Sequence, residues 1–140
     1  MKIDEFRKKR YRDKFNYITD NLKCLTVTPR TELEKKGVLY SVHTIIESVI
    51  DLVAMFIKDL GYQVEDDQKN ISLLVKKLNL EPELEIELKK ANGLRNILVH
   101  RYNGVDEEMV LNSVDEVIRI TSKWLEIFEK LFAELFNDES

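Results

Sequence analysis

The stretch GLRNILVHRY, residues 93–102, brings Arg95, Asn96, His100 and Tyr102 together on a short piece of chain. Arg95, Asn96 and His100 are either ordinary polar decoration or a set that could cut RNA without a metal. A base must take the proton of the 2′-hydroxyl, an acid must protonate the departing 5′-oxygen, and a cation must hold the phosphate while its charge redistributes. Histidine, with an ordinary pKa of about 6.5, can act as base or acid near neutrality. Arginine carries a permanent charge on a planar fork that matches phosphate oxygens. Asn96 could orient the imidazole or donate to the phosphate. Two copies of His100 facing each other across a dimer would supply base and acid together.

Spacing alone does not assemble that site. At about 100° per residue, Asn96 and His100 share a helix face, and so do Arg95 and Tyr102. Arg95 and His100 lie about 140° apart around an ideal helix. They converge only if the helix ends near His100, if the long arginine wraps round, or if a second subunit brings its own copies. Asn103 and Gly104 favour an end there. The competing reading is structural: a helix-end histidine on terminal carbonyls, and an arginine paired with Glu47 or another buried acid.

The elements that must position these residues are legible in the apolar spacing. Ile3, Phe6, Phe15, Ile18, Leu22 and Leu25 give a helical rhythm over roughly residues 3–25, which Pro29 and its β-branched neighbours break. Thr31 and Glu34 spell a capping box, so a long helix should start there and stop at Gly61. Its apolar residues cover more than one stripe, the mark of a central helix or one that also faces another subunit. Within it, His43 reads as a satisfied core or interface histidine. Glu47 and Asp51, four apart in an apolar region, read as buried acids that need a partner, with Arg95 the obvious candidate.

After the polar loop GYQVEDDQKN, a short helix is expected near 70–79. Another runs from Pro82 to the end of the quoted stretch, and a last one over about 107–136 with Asp106 as its cap. Trp124 and the phenylalanines of that last helix are expected in the core. The expected fold is all-α, an up-and-down bundle of about five helices in a single domain over residues 1–140.

Bulk composition narrows the function classes. The chain has 140 residues, 44% hydrophobic and 34% charged, with four Gly and two Pro, which leaves little room for a turn-rich β architecture. One cysteine, Cys24, and two histidines give neither an internal disulfide nor a metal-ligand set, and fit a reducing, cytoplasmic compartment. No apolar run approaches the roughly 20 residues of a membrane span, and the N-terminus lacks the apolar segment of a signal peptide. The net charge of −4 does not advertise nucleic-acid binding, but the charge is uneven. Residues 1–24 carry eight Lys/Arg against four Asp/Glu, and residues 106–140 carry three against ten. The basic N-terminal cluster reads as a solvated helix face or a partner surface.

RNILVHRY resembles the motif of the HEPN superfamily: an Arg, a polar residue, a short spacer, then His. It is more closely similar to the HepT toxin branch, in which a Tyr stands two residues after the His. YNGVD (102–106) resembles the residues that follow the motif there. HTIIESVIDLVAMFI resembles the family's long central helix, with Glu47 and Asp51 at its acidic positions.

The resemblance implies a HEPN-like bundle that dimerises and places its motifs at the dimer cleft. It implies a toxin of a prokaryotic toxin–antitoxin pair, acting as a metal-independent endoribonuclease with no cofactor. The partner it implies is an MNT-type minimal nucleotidyltransferase antitoxin, which neutralises the toxin by transferring AMP to the motif tyrosine. In these terms Arg95 and His100 are catalytic, Asn96, Glu47 and Asp51 support them, and Tyr102 accepts AMP. An anion on Tyr102 would block RNA by bulk and by charge. The alternative is a non-catalytic helical module that binds a nucleotidyltransferase or nucleotides, a reading the acidic net charge mildly favours.

Overall fold

The computed structural model describes residues 1–26, 28–100 and 104–136. Among them the regular structure is six helices: α1 (Glu5–Cys24), α2 (Glu32–Asp59), α3 (Asp67–Lys77), α4 (Pro82–His100), α5 (Gly104–Leu111) and α6 (Val114–Phe136). Local chemistry sets the ends. Asp4 caps α1 by accepting from the Arg7 amide at 2.7 Å. At α2 the Thr31 hydroxyl accepts from the Glu34 amide at 3.1 Å while the Glu34 carboxylate accepts from the Thr31 amide at 3.0 Å, the expected capping box. Gly61 then turns the chain at φ 91°, a left-handed conformation that costs glycine nothing. Asp66 caps α3, so this helix starts at Asp67, inside the stretch read as a loop.

The helices form an all-α, up-and-down bundle built around α2, which packs against each of the other five. Half of its 28 residues are buried, which is why its apolar residues overflow a single stripe. By length and composition α2 could cross a bilayer, a point that uninterrupted apolar runs did not reveal because Glu47 and Asp51 interrupt them. In the bundle, 61% of its most apolar window is buried against protein, the setting of a core helix.

The distal end of the core is aromatic. Tyr11, fully buried, lies 4.7 Å from Phe56 and 5.4 Å from both Phe132 and Phe136, measured between ring centres. Its hydroxyl donates to Asp59 Oδ2 at 2.5 Å, and Arg7 Nε donates to the same oxygen at 2.8 Å. This carboxylate ties the start of α1 to the end of α2. Trp124 and Phe128 are fully buried, as expected of the last helix.

Two expectations are corrected. The C-terminal region is two helices, because the chain breaks at Asn112 and Ser113. There the Ser113 amide reaches back three residues to Val110 and its hydroxyl donates to the Met109 carbonyl, a local competition that ends α5. Asp106 lies within α5 and does not precede a helix, because that helix begins at Gly104.

Candidate functional site

Every described residue of the quoted motif sits on the second half of α4. Pro82 opens this helix, where its missing N–H costs nothing. Leu88 and Ala91 are buried, and Leu94, Ile97 and Leu98 are half-buried against the core, which fixes the rotation of the helix. That rotation turns Asn92 and Arg95 toward the N-terminal end of α3 and leaves Asn96 and His100 exposed.

Arg95 is tethered. Its Nη2 donates to Asp67 Oδ2 at 3.3 Å and to Asn96 Oδ1 at 3.2 Å. Asp67, the first residue of α3, also accepts from Asn92 Nδ2 at 3.4 Å. Asn92 is 2% exposed, and its Oδ1, like Arg95 Nε, is buried without a hydrogen-bond partner among the described residues. Only 19% of the Arg95 side chain reaches solvent, against 41% for Asp67. The α3–α4 seam therefore holds a guanidinium in a fixed orientation beside an accessible asparagine.

His100 is the last described residue of α4 and is exposed. Tyr102 lies outside the described residues. Arg95 and His100 are thus carried by one helix, five residues apart, Arg95 held by Asp67 and His100 an exposed residue. A guanidinium can bind a phosphate and an imidazole can take or give a proton near neutrality.

The acids of α2 behave differently from expectation. Glu47 and Asp51 are exposed and do not reach Arg95, whose carboxylate partner is Asp67. Glu47 faces His43 at 3.5 Å, and Asp51 accepts from Lys14 Nζ at 3.2 Å. The cause is helical register. Positions 40, 44, 47 and 51 follow one stripe of α2, and the core-facing stripe takes Val42, Ile46, Val49 and Val53. That outer stripe and α1 form an open groove of about 610 Å³, lined among others by Phe6, Arg10, Lys14, Tyr17, Glu47 and Asp51. Tyr17 and Thr44 hydroxyls lie 2.6 Å apart across it. His43 is half-buried beside Glu47 rather than a core residue.

Sequence reasoning missed Asp67 and Asn92. Asn92 had a signal, a polar residue three before Arg95 and next to the buried Ala91. Asp67 had none, since it stands in a run of polar residues. Among the described residues no group of three or more His, Cys, Asp or Glu side chains is placed to hold a metal ion.

The likeness to known proteins covers nearly the whole chain. Residues 6–128 match the family model described as "Ribonuclease HepT-like". The chain is 43% identical over 129 residues to a candidate RNase of Archaeoglobus fulgidus, covering 92% of this chain and 98% of the relative. A second candidate RNase of the same organism is 38% identical over 129 residues, covering 89% of this chain and 98% of the relative. Among solved structures, the bundle is similar to a tri-AMPylated HEPN toxin of Shewanella oneidensis in complex with its MNT antitoxin. The TM-score is 0.74 at 18% identity, over 91% of this chain and 99% of that one. At that identity the likeness is one of fold.

Proposed function

The chain belongs to the HepT-like ribonuclease family, and on that premise we propose that it is the toxin of a toxin–antitoxin pair, an endoribonuclease that cuts RNA with its own side chains. The observation that carries this reading is α4, which holds a tethered Arg95 and, five residues on, an exposed His100 within a chain that matches the family over residues 6–128.

Arg95 binds the phosphate that will be cut, and Asn96 steadies it. One His100 takes the proton of the neighbouring 2′-hydroxyl, whose oxygen forms a bond to phosphorus. The bond from phosphorus to the 5′-oxygen breaks, and a protonated His100 delivers its proton to that oxygen. The products are a 2′,3′-cyclic phosphate and a 5′-hydroxyl. One α4 carries a single histidine, so base and acid together require a second copy, and the active species is a homodimer. Glu47 and Asp51 support the site from their exposed stripe on α2.

Silencing follows from Tyr102. An MNT-type nucleotidyltransferase antitoxin transfers AMP from ATP to its hydroxyl, two residues from His100. The phenol oxygen loses its proton and bonds to the α-phosphorus as pyrophosphate leaves, and the added phosphate and nucleoside exclude RNA. The tri-AMPylated state of the Shewanella toxin supports an AMP acceptor in this fold. Toxin and antitoxin act in the cytoplasm.

Incubation with a family nucleotidyltransferase and labelled ATP tests this assignment. Label is expected on the wild-type chain and absent from Tyr102→Phe. Label that persists in Tyr102→Phe would move the acceptor elsewhere.

A further inference from the structure

We propose that Asp67 is the positioning residue for Arg95, fixing the guanidinium so that it meets the scissile phosphate through Nη1. The proposal rests on the nuclease reading above, but its geometry does not. A guanidinium has five N–H donors in a rigid fork. In Arg95 the Nη2 group is taken by Asp67 Oδ2 at 3.3 Å and Asn96 Oδ1 at 3.2 Å, and Nε is buried. The side-on edge, formed by Nε and Nη2, is therefore closed to an anion. Nη1 is the group left, on a side chain that keeps 19% of its surface in solvent.

Asp67 is itself held in place. It is the first residue of α3, where the helix dipole favours a carboxylate. The Asn92 amide, 2% exposed on α4, donates to the same Oδ2 that Arg95 uses. One oxygen thus receives two donors, one turn apart on α4, from the adjacent helix. Moving Asp67 would release the arginine, and Asn96 alone, exposed and on the same helix, offers a neutral acceptor in its place.

A carboxylate on Arg95 cannot strengthen its ground-state hold on phosphate, because it offsets part of the positive charge. What it supplies is direction, and direction shows up in the chemical step more than in binding. The expected signature is therefore a split between kcat and KM. Asp67→Ala should lower kcat by roughly tenfold and leave KM for RNA unchanged or lower. Asp67→Asn, which keeps an acceptor oxygen of the same shape, should stay within about threefold of wild type in kcat.

The test has two arms on the intact protein, with circular dichroism confirming that each variant is folded. The first is steady-state cleavage of an RNA oligonucleotide by wild type, Asp67→Asn and Asp67→Ala. The second is the Arg95 Nε–Hε resonance in a 15N spectrum without RNA, assigned by its loss in Arg95→Lys. It should be sharp and slowly exchanging in wild type and Asp67→Asn, and broadened in Asp67→Ala. A wild-type kcat in Asp67→Ala, or an Arg95 resonance that stays sharp there, overturns the proposal. If wild type cuts no RNA, the nuclease reading fails while the resonance still decides whether Asp67 positions Arg95.

Discussion

Replacing Asp59 with alanine removes one carboxylate oxygen that two side chains of α1 share, Tyr11 at 2.5 Å and Arg7 at 2.8 Å. The two losses differ. Tyr11 is fully buried within an aromatic cluster, so its hydroxyl cannot turn to water and bears the penalty of an unmade buried hydrogen bond, about 2 kcal/mol. Arg7 keeps 21% of its side chain in solvent and rehydrates, so its share is nearer 1 kcal/mol. Together the expected cost is about 3 kcal/mol, a large part of the stability of a domain this size. Asp13→Ala is the control, since the Lys9–Asp13 pair has both side chains more than half exposed and should matter by less than about 0.5 kcal/mol. Urea unfolding followed by the fluorescence of Trp124, the single and fully buried tryptophan, reads both variants. With a slope of about 2 kcal/mol per molar, the Asp59→Ala midpoint should fall by about 1.5 M. A shift no larger than that of Asp13→Ala would refute the account of how α1 is fastened.

The same carboxylate makes an alkaline prediction. Burial first, then the hydrogen bond to Asp59, pushes the Tyr11 phenol far above its ordinary value of about 10. A group raised on folding holds its proton longer in the folded state, so its contribution is complete below the unfolded pKa of about 10 and is lost as pH rises beyond it. Wild-type stability should therefore decline above about pH 10 more steeply than that of Tyr11→Phe, and equal slopes would contradict this. At the other end of α2, Thr31→Ala breaks the capping box and should cost about 1 kcal/mol by the same urea assay, with no change in RNA cleavage.

The fold was legible where one residue type decides an end or a face. Thr31 with Glu34, Gly61 and Pro82 marked helix boundaries because caps and stops are local chemistry. The overfull apolar surface of the second helix revealed its central place. The break at Ser113 was missed although Ser113 and Glu116 stand three apart, the spacing of a helix start. The apolar residues on both sides kept a continuous rhythm that hid it. At the site, Arg95, Asn96 and His100 stood out by their chemistry, and all three lie on α4. Their neighbours did not. Glu47 seemed the natural partner of Arg95, yet the register of α2 turns it outward, while Asp67 comes from another helix. Pairings of that kind depend on how helices rotate against one another, which periodicity along one helix does not fix.

Whether α4 cleaves RNA is read directly from the fate of a mixed RNA pool incubated with purified protein in excess EDTA. Wild type would be compared with His100→Ala and Arg95→Ala, after intact mass has shown Tyr102 unmodified. Fragments ending in 2′,3′-cyclic phosphate are expected from wild type and none from either variant. Intact RNA with unmodified wild type, or undiminished cutting by His100→Ala, would contradict the nuclease reading.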